Sequence, residues 1–213
     1  MAGQFLTVNS KDGGSAIIAS PTRDDILNAI GRALRPLPFW IGYKRAKYWG
    51  HDLPEAAMVA ELRETLIAAL PPKHRVRCEV AYRLLRGTSG SPAKKPGRPC
   101  QADLAILDSE GKYVAIIEVK RGAEFGVEAR KDLVKLKTLT GSATGARMFL
   151  IVLTEHGRPD KLVTTRGHAR RSVAELGPGV RVRRSYHCNS SARERKRKGE
   201  HFALLLEVTN PPH

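Results

Sequence analysis

The chain has 213 residues, 41% of them hydrophobic, which is enough for one domain with a substantial core. No apolar run reaches the roughly 18 residues of a membrane span, and no basic start leads into an apolar stretch, so neither a transmembrane helix nor a signal peptide is expected. Its 37 Lys and Arg against 21 Asp and Glu give a formal net charge of +16, which suits a polyanion, above all nucleic acid; a membrane surface is not expected, because no basic amphipathic helix with a bulky apolar face accompanies the charge.

Residues 1–20 are small and polar apart from the run Ala16 to Ala19. Thr22 is placed to cap a helix, with Asp25 three residues on and Ile26, Leu27, Ile30, Ala33 and Leu34 as its stripe; Pro36 and Pro38 are expected to end it. Residues 39–50, FWIGYKRAKYWG, mix Phe39, Trp40, Tyr43, Tyr48 and Trp49 with Lys44, Arg45 and Lys47. Aromatics among cations suit base stacking with phosphate contact. They also suit core filling with the cations directed outwards, the preferred reading for Trp40 and Trp49.

Asp52-Leu53-Pro54-Glu55 has the signature of a helix start, with Asp52 as N-cap and Glu55 completing a capping box. Met58, Val59, Leu62, Leu66 and Leu70 form its apolar face, and Pro71-Pro72 stop it. Residues 75–85, RVRCEVAYRLL, read as a strand with Val76, Cys78, Val80 and Tyr82 on one face and Glu79 on the other. Residues 87–99 are a loop by composition, carrying Lys94, Lys95 and Arg98 beside the segment that follows.

That segment, Cys100 to Arg121, reads as a β-hairpin: strands at 101–107 and 113–119 around Asp108-Ser109-Glu110-Gly111-Lys112. Asp103, Glu118 and Lys120 fall where the hairpin should be most buried, and buried charges need partners or a metal. Glu118 and Lys120 share a face because side chains alternate along a strand. A four-residue loop over 109–112 puts Asp103 opposite Glu118. Two such carboxylates repel unless a cation lies between them, and hard oxygen ligands suit Mg²⁺. A neighbouring lysine can position a bound water.

Beyond the hairpin, residues 124–140 read as a helix with Val127, Leu133, Leu136 and Leu139 as its stripe. RMFLIVL, residues 147–153, reads as a strand buried on both faces. Residues 160–176 are expected to be helical in part, with Arg166, His168, Arg170 and Arg171 as a cationic patch. Gly177-Pro178-Gly179 is a turn, 180–187 a half-exposed strand, 191–199 a charge run with Arg195, Lys196, Arg197 and Lys198, and 201–208 a closing strand. The three cysteines, Cys78, Cys100 and Cys188, are widely spaced and form no C-x-x-C pair, so a reducing, cytoplasmic setting is expected rather than a disulfide framework or a structural zinc site.

Asp103 followed by Glu118-Val119-Lys120, within a helix–three strands–helix–strand order over residues 52–155, resembles the PD-(D/E)xK nuclease superfamily, with Ala102 in place of the proline. The resemblance implies an α/β, restriction-endonuclease-like fold: an αβββαβ core, a mixed central sheet flanked by helices, an N-terminal helical extension over 1–51 and a C-terminal strand extension over 156–213 within the domain 52–213. It implies a Mg²⁺-dependent nuclease, Mn²⁺ substituting, acting on nucleic acid, DNA before RNA. Asp103 and Glu118, with the carbonyl of Val119, would hold the metal, and Lys120 would hold water and phosphate. A helix Glu would be the further ligand, Glu61 before Glu55, with Glu79 of the strand as another alternative. Lys94, Lys95, Arg98, Arg121, Arg170, Arg171, Arg195, Lys196, Arg197 and Lys198 are the candidate nucleic-acid contacts. The competing expectation is a nuclease-like binding module, or a subunit of a larger recombination or defence complex. A homodimer, or a partner protein supplying specificity, is compatible with either.

Overall fold

The computed structural model describes residues 23–47, 52–85, 101–122, 127–140, 145–155, 157–170, 176–190 and 199–209. Six strands, β1 (Arg75–Ala81), β2 (Gln101–Leu107), β3 (Tyr113–Arg121), β4 (Arg147–Thr154), β5 (Val180–Ser190) and β6 (Gly199–Val208), form one sheet in the order β1-β2-β3-β4-β6-β5. Only β3 and β4 pair in parallel; the other neighbours are antiparallel, so the sheet is mixed. Helix α5 (Val127–Thr140) connects the parallel pair, as such a pairing requires.

Each face of the sheet buries its own core. Ala105, Ile116, Leu150, Val152 and Leu204 pack with Leu133, Leu136 and Leu139 of α5 on one side. Leu104, Ile106, Ile117, Phe149 and Ile151 pack on the other with α1 (Arg23–Leu34), α2 (Leu37–Lys47) and α3 (Glu55–Ala69). Strand β4 feeds both cores, which accounts for its unbroken apolar run. The fold is therefore α/β with helices on both faces, as expected, and β5 and β6 extend the same sheet.

Several elements differ from the sequence expectation. Pro38 does not end a helix; it lies in the first turn of α2, where its missing N–H needs no partner. Asp52 does not cap α3: Pro54 occupies the N-cap with no side-chain cap bond, and Glu55 turns its carboxylate outwards to β3 instead of back to the cap. The strand from 75 ends at Ala81 and passes into a one-turn helix, α4 (Tyr82–Leu85). The described residues between 157 and 170 hold no helix. A turn leads to an isolated bridge, Val163 to Ala169, closed by Gly167, whose φ of 77° and close seat on His187 leave no room for a side chain. Thr22, residues 48–51, 86–100, 171–175 and 191–198 lie outside the described residues, and with them the expectations placed there.

Candidate active site

The site lies at the carboxyl ends of the parallel strands β3 and β4, beside the start of α3, where open α/β sheets commonly bind ligands. The hairpin reaches the expected register by another route. Its loop has five residues, 108–112, since Leu107 pairs with Tyr113; a bulge at Val114 then restores the pairing of Ile106 with Ala115 and Leu104 with Ile117. The next pair in that register is Asp103 with Glu118. Asp108 closes the loop, its Oδ1 accepting from the N–H groups of Glu110 and Lys112, each at 2.9 Å.

The ladder between β2 and β3 stops at Leu104, and the Asp103 carboxylate takes over: Oδ2 accepts the Val119 N–H at 2.7 Å. On β1, the pairs flanking Glu79 put it opposite Asp103, but the two do not pair, and Glu79 has φ 51°. This break turns β1 over. Val76 packs on the α3 side of the sheet, whereas Val80 and Tyr82 enter the α5 side. Tyr82 thereby donates its hydroxyl to Glu118 Oε1.

Four carboxylates gather around Lys120. Its Nζ lies 3.1 Å from Glu55 Oε1 and 3.3 Å from Asp132 Oδ2. The second contact is an ion pair without hydrogen-bond alignment, which leaves Asp132 Oδ2 a buried acceptor with no donor aimed at it. Asp132 Oδ1 accepts from Lys135. Glu55 Oε2 also accepts the Arg121 N–H at 3.0 Å. Burial raises Asp103, against the Val119 N–H and the Lys120 charge, which lower it. Burial and then the charge of Asp132 push Glu118 up to about 8, against the pull of Lys135 and Lys120. Burial alone would lower Lys120, but its bond to Glu55 and the charge of Asp132 hold it above the ordinary lysine range. The ammonium therefore stays charged and lies within electrostatic reach of both Asp103 and Glu118.

Glu55 is thus the α3 glutamate that reaches Lys120; Glu61 is half-buried further along the helix, with no carboxylate contact to these groups, and Glu79 is exposed. Asp132, 2% exposed, is a member that sequence reasoning missed. Its helix reads there as a run of charges, and only an acid four residues before Leu136 on the buried stripe hinted at an inward position. Arg121 is largely committed inside the protein, donating to the Leu53 carbonyl at 2.9 Å and lying 3.7 Å from Asp52 and 3.5 Å from Glu155. Arg170 is exposed, with Nε on the Val163 carbonyl. Lys94, Lys95, Arg98, Arg171, Arg195, Lys196, Arg197 and Lys198 lie outside the described residues.

The donor set fits a hard divalent cation. Asp103 and Glu118 are oxygen donors on neighbouring strands, each within electrostatic reach of Lys120, and burial raises both. Among the described residues no three His, Cys, Asp or Glu side chains stand in a metal-holding group. Two carboxylates with water and phosphate completing the shell is the pattern that Mg²⁺ favours. No protein-family model, no curated protein and no solved structure matches the chain.

Proposed function

We propose that the chain is a divalent-metal-dependent nuclease of the PD-(D/E)xK type, built on a restriction-endonuclease-like arrangement and hydrolysing phosphodiester bonds, DNA before RNA. The observation that carries this reading is the charged Lys120 ammonium within electrostatic reach of both Asp103 and Glu118, two carboxylates raised by burial. Asp103 and Glu118 would hold Mg²⁺, or Mn²⁺ in its place. When bound, such an ion lowers the pKa of a coordinated water and offsets charge on the phosphate. Lys120 donates to the water or to a phosphate oxygen; being held charged, it acts as a donor rather than as a base. Glu55 and Asp132 keep its amine aimed, and Tyr82 fixes the rotamer of Glu118. The +16 charge draws the polyanion in.

Asp103→Asn, Glu118→Gln and Lys120→Ala should each lower metal-dependent nicking of plasmid or single-stranded DNA by about 100-fold or more while leaving DNA affinity largely intact. Normal cutting by Lys120→Ala overturns the assignment. A second reading, a nuclease-like binding module or complex subunit, draws support from the engagement of Lys120 by Glu55 and Asp132, which satisfies the ammonium within the protein. Binding without cutting by the unmodified chain, in both Mg²⁺ and Mn²⁺, favours that reading.

A further inference from the structure

Helix α2 has large apolar residues on two sides. Leu37, Pro38, Ile41 and Gly42 face the core, whereas Phe39 is 68% and Tyr43 55% exposed. The two rings are four residues apart, so they stand along one stripe, and exposed Lys47 continues it a turn further on. Lys44 lies 5.7 Å over the neighbouring Trp40 ring. The helix contains no acidic residue, and Lys44, Arg45 and Lys47 crowd its last turn. A partner of apolar side chains is poorly matched to such a surface, because protein interfaces deplete charge, lysine above all, from their cores. Unpaired bases beside phosphates match both of its chemistries.

The same helix is tied to the candidate active site. Arg45 Nη1 donates to the Glu155 carbonyl at 2.6 Å. The Glu155 carboxylate, 3% exposed, accepts the Leu53 N–H at 3.0 Å and lies 3.5 Å from Arg121. Arg121 in turn donates its N–H to Glu55, the partner of Lys120.

We infer that Phe39 and Tyr43 form a stacking platform for unpaired bases, with Lys44 and Lys47 holding the adjoining phosphates, so that the strand presented to the site is single-stranded or the unpaired arm of a branched nucleic acid. The purpose of the platform rests on the nuclease reading; its existence does not, and the test is therefore made without divalent metal. Binding of a labelled thymidine oligonucleotide, the same length of uridine RNA, and a DNA duplex is measured by fluorescence anisotropy in EDTA. Removing both rings (Phe39→Ala with Tyr43→Ala) should weaken single-strand binding by roughly 100-fold, about tenfold per ring, and leave duplex binding nearly unchanged. Phe39→Trp should keep the affinity, and its added fluorescence should be quenched when the single strand binds. Equal losses for duplex and single strand, or no loss, overturn the inference, as does an unquenched signal from the introduced indole at saturation. Conversion of a dimer into a monomer by the double variant, with single-strand affinity retained, assigns the face to a second copy of the chain and likewise overturns it. Failure to cut DNA in Mg²⁺ bears on the nuclease reading alone.

Discussion

A glutamate 3% exposed, with Asp132 beside it, keeps its proton far above the usual carboxylate range; for Glu118 burial and then that neighbouring charge raise the pKa from 4.5 to about 8. The consequence for stability has a definite sign. Between pH 4.5 and about 8 the native state holds a proton that the unfolded chain has released, so unfolding free energy falls as pH rises, by at most about 1.4 kcal/mol per unit. Above about 8 both states are ionised and the slope from this group vanishes. Urea melts of the metal-free protein should show this decline, and Glu118→Gln should remove it. If Glu118 holds a divalent ion as proposed, that ion would compete with the proton, and Mg²⁺ affinity measured by calorimetry should rise with pH up to about 8 and then level off. A flat affinity across that range would mean that Glu118 is not a ligand. Glu118 and Lys120 were legible from strand alternation alone. Asp132 was not, because its partner Lys120 lies on another element and no local spacing joins them.

At the scale of the element, the break in β1 and β2 decides which side chains can meet. Without the left-handed residue at Glu79, Val76 and Val80 would share a face, and Tyr82 would not enter the α5 side of the sheet. An L side chain at positive φ costs about 1–2 kcal/mol, more when β-branched. Glu79 already carries that cost, so Glu79→Val should lower stability further only by the added strain of a β-branched side chain and reduce cleavage through the misplacement of Tyr82, whereas Glu79→Gly should relieve the strain and retain cleavage. Chemical melts with nicking rates check this; unchanged activity in the Glu79→Val variant would show that the break does not position the site. The hairpin repeats the lesson in a milder form. Its register followed from counting residues to the turn, but the five-residue loop and the bulge at Val114 did not, since they depend on Asp108 gathering two backbone N–H groups within the loop. The start of α3 is a third case. The capping pattern at Asp52 and Glu55 was real as a pattern, but the ammonium of Lys120 and the N–H of Arg121 offered Glu55 stronger partners than its own helix.

For the whole molecule, net charge is the property with the longest reach. A protein that neutralises six or more phosphates releases as many counterions, so affinity for DNA should fall by about 10³ or more from about 50 to about 200 mM salt. Anisotropy titrations over that range test it, and a shallow dependence would separate the +16 charge from nucleic-acid binding. Among the described residues, no helix is long and apolar enough to cross a membrane.

Taken alone, the order of residues determined the α/β class, four of the strands close to their limits, the two-sided burial of β4 and the placement of Glu118 and Lys120 on one strand beside that of Asp103. Each of these follows from periodicity or counting, which are properties of the chain itself. Tertiary structure alone decided that Glu55 and Asp132 flank Lys120, that Glu79 turns β1 over, and that Phe39 and Tyr43 stay in solvent on a helix whose opposite side is buried. Those outcomes depend on which side chains compete for one partner across the sheet, and charge and space settle that competition only once the elements are packed.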